Sequence, residues 1–128
     1  MALILVVDDD LDILKTFQRD LMKQGHQVIC ATNGSEAWQN LFNPQPDLII
    51  LDIAIPGMSG IELCRKIRAN PMTAATPIIF ATVSNDMGSQ SAAFDAGADD
   101  YLIKPFNLTE FNLRVHALLR DHSRSARS

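Results

Sequence analysis

Asp8, Asp9 and Asp10 stand in a row directly after the apolar run Leu3-Ile4-Leu5-Val6-Val7, and Asp52 directly follows a second run, Leu48-Ile49-Ile50-Leu51. Thr82 follows a third, Pro77-Ile78-Ile79-Phe80-Ala81, and Lys104-Pro105 follows a fourth, Tyr101-Leu102-Ile103. If Asp8, Asp9 and Asp52 converge, each pair of charges about 4 Å apart repels by roughly 1 kcal/mol in water and about 4 kcal/mol at an effective dielectric near 20. Such a cluster persists only with a cation beside it or with some carboxyls protonated. Lys104 offers a point charge that can pair with a carboxylate at rest and with a phosphoryl oxygen later. Thr82 offers a hydroxyl able to donate to the same kind of oxygen. No histidine or cysteine lies near the acids in sequence, so the donors are all oxygen. That favours a hard cation, Mg²⁺ (or Mn²⁺) over Ca²⁺ for a small, partly hydrated site that also admits phosphate oxygens. The plain alternative is that the first three aspartates cap a helix, where acids are welcome. Asp10 suits that role, but it explains neither Asp52 nor Lys104.

What must position these residues is legible in the hydrophobic pattern. Continuous apolar runs mark strands buried on both faces, and the run 26–31 is less apolar, as expected of an edge strand. Between the runs, apolar residues recur at helical spacing. Leu11, Leu14, Phe17 and Leu21 form one such set, stopped by Gly25. Ala37, Trp38 and Leu41 mark a short helix over 34–42, and Ile61, Leu63, Cys64 and Ile67 a third, after the loop Pro56-Gly57-Met58-Ser59-Gly60. The segment 87–96 makes a fourth, stopped by Gly97. Leu108, Phe111, Val115, Leu118 and Leu119 give the last its apolar face, with Asn107 and Glu110 spaced as a capping box. Strict β–α alternation implies a doubly wound (βα)5 domain, a five-stranded parallel sheet with helices on both faces. In such a sheet ligands bind beyond the carboxyl ends of the strands, the edge on which every one of these reactive groups falls.

A length of 128 residues suits one domain with a single core. The net charge of −4 gives no reason to expect nucleic-acid binding. Residues 1–120 read as the domain, and 121–128 as a polar basic tail or the start of a linker, or else a contact for something acidic. Cys30 and Cys64 have no metal-ligand spacing and read as free thiols of a reducing compartment. No apolar run approaches a membrane span and no leader pattern is present, so the chain is expected in the cytoplasm, away from membranes.

The fragments VVDDD, LDIAIPGMSG, ATVS and GADDYLIKPF, with the helix LTEFNLRVHALLR, together resemble the receiver domain of two-component response regulators over about residues 3 to 120. Thr82 lies 30 positions after Asp52, and Tyr101 and Lys104 lie 19 and 22 after Thr82, separations that agree with the family. The resemblance implies a flavodoxin-like sheet of strand order 2-1-3-4-5. It makes Asp52 the phosphoacceptor, and Asp9, Asp52 and the backbone carbonyl of Ala54 direct Mg²⁺ ligands, with Asp8 acting through water. Thr82 becomes the switch hydroxyl, Tyr101 the rotating aromatic, Lys104 the phosphoryl partner, and the Lys104-Pro105 peptide cis. The donor is implied to be a phosphohistidine on a sensor histidine kinase or histidine phosphotransfer protein. Also implied are intrinsic dephosphorylation, switching of the face made by the helix over 87–96, the strand Tyr101-Leu102-Ile103 and the last helix (helix 4–strand 5–helix 5 in chain order), a homodimer through that face, and a downstream effector domain or protein. The role is regulatory, not that of an enzyme acting on other molecules.

Ala54, Val83 and Ser84 flank the site as positions that tune its kinetics. Ala54 is often longer and polar in the family, and its methyl group can neither order nor block an attacking water. Val83 is usually smaller, so its branched side chain is expected to crowd the phosphoryl entrance. Ile55 replaces a common methionine, a conservative change. Three rivals remain: a receiver-like module that binds a partner constitutively without phosphate turnover, a haloacid-dehalogenase-type phosphatase, and a flavodoxin-like cofactor carrier. The phosphatase would want a hydroxyl residue in the Asp8–Asp12 run and has no room for a cap domain. The carrier would want a phosphate cradle where three aspartates stand.

Overall fold

The computed structural model describes the backbone of residues 2–127 and the side chains of 2–121. The chain alternates strand and helix throughout: β1 (Leu3–Val7), α1 (Leu11–Lys23), β2 (Gln27–Ala31), α2 (Gly34–Gln39), β3 (Leu48–Leu51), α3 (Gly60–Ala69), β4 (Ile78–Thr82), α4 (Met87–Asp95), β5 (Asp100–Ile103) and α5 (Leu108–Arg127). All strand pairs are parallel, and the order is β2-β1-β3-β4-β5, as the resemblance implies. β3 and β4 are buried along their whole length, and β2, the less apolar run, lies at an edge with its first residue exposed.

Alternation along the strands divides the core into two layers. Ile4, Val6, Leu48 and Ile50 face Leu14, Phe17 and Leu21 of α1 and Phe111 and Val115 of α5. Leu5, Val7, Ile49 and Leu51 face Ala37 of α2, Leu63, Cys64 and Ile67 of α3 and Ala93 of α4. Each fully buried Leu, Ile or Phe contributes roughly 1.5–3 kcal/mol, so the two-layer pattern alone strongly specifies which face each helix takes. The chain leaves β1 toward β2 and returns to β3 on the other side. Strand order therefore reverses between β1 and β3.

Several expectations need correction. Leu11 is exposed, because α1 begins there and its first residue overhangs the core. The second helix ends at Gln39, short of residue 42, although Leu41 remains buried beyond it. Asn107 does cap α5, its Oδ1 accepting the N–H groups of Thr109 and Glu110 at 2.7 and 3.2 Å. The return half of the capping box is absent: the Glu110 carboxylate accepts from Arg114 one turn on. The α5 backbone continues past residue 120 to Arg127, with no glycine or proline to stop it. The side chains of 122–128, most of the expected tail, lie outside the described residues. Cys30 and Cys64 are free thiols, and burial pushes the Cys64 thiol up to about 11. Among the described residues no helix is long and apolar enough to cross a membrane.

Candidate functional site

The reversal point carries the acids. In register, Val7 of β1 pairs with Leu51 of β3, so the next residue on each strand, Asp8 and Asp52, emerges at the same height. The Asp52 N–H donates to the Val7 carbonyl at 3.0 Å and the Asp8 N–H to the Ala31 carbonyl at 3.0 Å, which carries the sheet ladder up to the site. Asp8 and Asp52 are 2% and 8% exposed, while Asp9 is open to solvent. One carboxylate oxygen from each of the three lies within 4.8 Å of the others. Asp10 takes no part in that cluster. Its Oδ1 accepts from the N–H groups of Asp12 and Ile13 at 3.0 and 3.3 Å, capping α1.

Lys104, which follows β5, reaches across the sheet's end. Its Nζ donates to Asp8 Oδ2 at 2.5 Å and to Asp52 Oδ2 at 3.1 Å. The Lys104-Pro105 peptide is cis, as expected, and so is Asn43-Pro44, which nothing in the sequence had suggested. The other Asp52 oxygen, Oδ1, accepts the Ala54 N–H at 3.2 Å, and Asp8 Oδ1 accepts the Asp10 N–H at 2.9 Å. Burial raises the Asp8 carboxyl above its ordinary value against the pull of Lys104, and the Asp52 charge adds to the rise. For Lys104, burial would lower the ammonium's pKa, but the hydrogen bond to Asp8 and the charge of Asp52 outweigh it and hold the group above its usual value. One ammonium thus serves a cluster of three carboxylates, two of which it bonds directly. Oxygen donors alone, gathered this closely and short of positive charge, fit a hard divalent cation.

Thr82 ends β4 and is fully buried. Among the described residues its hydroxyl makes no hydrogen bond to Asp52; Oγ1 accepts the Ser84 N–H at 3.4 Å. Tyr101 lies half-buried on β5, its ring tilted against Phe80 and Phe94 at centroid distances of 6.2 and 6.3 Å. Its phenol donates to the Ser84 carbonyl at 2.6 Å, and burial, with the charge of Asp86, raises its pKa so that the proton stays available. Main-chain atoms of Ser84 therefore join Thr82 to Tyr101. In the sequence Ser84 stands out only as a kinetic position, because a peptide N–H and C=O leave no trace in residue identity. Ala54 and Val83 are both exposed; Ala54 is tied by its N–H to Asp52, and Val83 shares a basin with Lys104. Val83, 70% exposed, lines with Ile13, Thr16, Phe17, Lys104, Pro105, Phe106 and Leu108 an open basin of about 540 Å³.

Comparison with known proteins identifies the family and its fold. Residues 4–116 match the family described as response regulator receiver domain. The chain is 40% identical over 125 residues to the transcriptional regulatory protein PrrA of Mycobacterium leprae, covering 98% of this chain and 53% of that protein. The chain spans about half the length of the curated relatives it matches. Among solved structures it is similar to a response regulator of Chloroflexus aurantiacus, with a TM-score of 0.89 and 37% identity over 93% of this chain and 98% of that one. It is also similar to a CheY-like receiver domain of Methanospirillum hungatei, with a TM-score of 0.92 and 27% identity over 98% of each chain.

Proposed function

This chain belongs to the response regulator receiver family, and from that premise we propose that it accepts a phosphoryl group on Asp52 from a phosphohistidine and changes shape in response. The observation that supports this most is the Lys104 ammonium shared between Asp8 and Asp52, 2.5 and 3.1 Å away, with Asp9 completing the acid cluster. Asp9, Asp52 and the Ala54 carbonyl would hold Mg²⁺ (or Mn²⁺), with Asp8 joined through water. When bound, the cation neutralises charge on the phosphoryl oxygens.

An Asp52 carboxylate oxygen attacks phosphorus in line with the departing imidazole nitrogen. The new O–P bond forms as the P–N bond breaks, and the electron pair leaves with the imidazole. Lys104 follows the charge from carboxylate to phosphoryl oxygen, so the residues act by position and electrostatics. Hydrolysis reverses the state: water takes the phosphoryl group and Asp52 regains its carboxylate. Thr82, whose Oγ1 accepts the Ser84 N–H, would move to donate its hydroxyl proton to a phosphoryl oxygen, and the tether from Ser84 to Tyr101 would carry that movement to α4, β5 and α5. That face exposes Met87, Phe94, Ile103 and Leu113, and it is the surface through which a homodimer or an effector would read the change. Partners are then a sensor histidine kinase or a histidine phosphotransfer protein, and the setting cytoplasmic.

Incubation with a small acyl phosphate and Mg²⁺, followed by peptide mapping, tests the reading. Phosphate is expected on Asp52, and Asp52→Asn is expected to take up none. Label on Asp8 or Asp10 would favour a hydrolase instead, and no label at all a constitutive interaction module.

A further inference from the structure

Glycine at position 60 opens α3, and its φ is not among the positive ones, which belong to Gly25, Gly57 and Gly97. Conformational freedom therefore does not explain it. Space does. A Cβ on Gly60 would lie 2.1 Å from the Asp52 carbonyl oxygen, 2.9 Å from its carbonyl carbon and 3.0 Å from Ile53 Cα. Its N–H donates to the Ile53 carbonyl at 2.7 Å, so the start of α3 rests directly on the peptide that follows Asp52.

Neither side of this contact can easily withdraw. α3 is anchored by Leu63, Cys64 and Ile67, all essentially fully buried, and by the Ser59 hydroxyl, which accepts the Glu62 N–H at 3.2 Å. β3 is anchored by the Asp52 N–H bond to Val7. The movable part is the Asp52–Ile53 peptide, from which the Asp52 carboxylate and the Ala54 main chain take their positions. We propose that Gly60 is a positioning residue for the phosphoacceptor: its missing side chain lets the main chain of Asp52 sit against α3 and so sets where the Asp52 carboxylate meets Asp9 and Lys104. This rests on the reading of Asp52 as the acceptor.

Clearing a methyl group at residue 60 would move the Asp52 peptide by about an ångström, a displacement of the size that costs on the order of 10²-fold in rate. The experiment compares wild type, Gly60→Ala and Ser59→Ala by thermal melting, Mg²⁺ titration calorimetry and the rate of phosphorylation by acetyl phosphate. Ser59→Ala removes the helix cap without adding an atom near Asp52. It is expected to melt lower while keeping wild-type Mg²⁺ affinity and rate. Gly60→Ala is expected to bind Mg²⁺ roughly tenfold more weakly and to phosphorylate on the order of 10²-fold more slowly. A folded Gly60→Ala with wild-type affinity and rate overturns the proposal. So do two variants that lose function in proportion to their melting temperatures, and so does a Gly60→Ala that cannot fold, since the glycine's role is then architectural. A wild type that takes up no phosphoryl group overturns the assignment of Asp52, and this proposal with it; one that does, beside an unaffected Gly60→Ala, overturns positioning alone.

Discussion

Lys104 serves two carboxylates with one ammonium group, and its removal separates two effects. Lys104→Met is expected to slow phosphorylation of Asp52 by about 10²-fold, the loss of one preorganised donor to the transition-state oxygens. Mg²⁺ affinity should not fall, because the ammonium competes with the cation for Asp8 and Asp52; calorimetry showing weaker binding in the variant would count against this. Val83 bears on access. Its branched side chain stands largely exposed in the basin beside Lys104, so Val83→Ala should speed phosphorylation by a small acyl phosphate severalfold. An unchanged or slower time course would remove steric crowding as a factor.

At the scale of an element, the three consecutive aspartates divide their labour by where β1 stops and α1 starts. Asp8 ends the strand ladder, Asp9 joins the acid cluster, and Asp10 satisfies two of the N–H groups that open α1. Asp10→Ala is therefore expected to lower stability by about 1 kcal/mol, the usual loss of a helix cap, and to leave Mg²⁺ affinity unchanged. Urea unfolding with parallel Mg²⁺ titration checks both halves. A variant of wild-type stability that bound Mg²⁺ poorly would return Asp10 to the site.

Across the whole molecule, the end of the sheet opposite the site contains a pH-sensitive contact. His26 Nδ1 accepts the Ala2 N–H at 3.2 Å, and its ring lies 6.0 Å from that of His116 on α5. Burial and the nearby His116 lower the His26 pKa below its ordinary 6.5. A depressed histidine pKa means that on acidification the unfolded chain takes up this proton before the folded one does. Its contribution to stability is thus fully present above about pH 6.5 and is lost as the pH falls from there toward the folded value. His26→Gln should flatten that part of the curve of urea midpoint against pH, between about pH 7 and 5. Equal slopes for variant and wild type would show that His26 does not set it.

Much of this protein was legible in its sequence. Uninterrupted apolar runs such as Leu48–Leu51 suit only a strand covered on both faces, and the residue that ends such a run must emerge at the sheet's rim. That is why the sequence alone puts Asp8, Asp52, Thr82 and Lys104 at one edge. Helix ends are less legible, since capping depends on rotamers: Asn107 and Glu110 have the spacing of a reciprocal box, yet Glu110 turns to Arg114. Only tertiary structure decided the rest. The register of Val7 on Leu51 brings Asp8 level with Asp52, the main chain of Ser84 joins Thr82 to Tyr101, and the close approach of α3 leaves no room for a side chain at Gly60. These are properties of backbone atoms common to every residue, and their positions are set by packing between segments far apart in the chain.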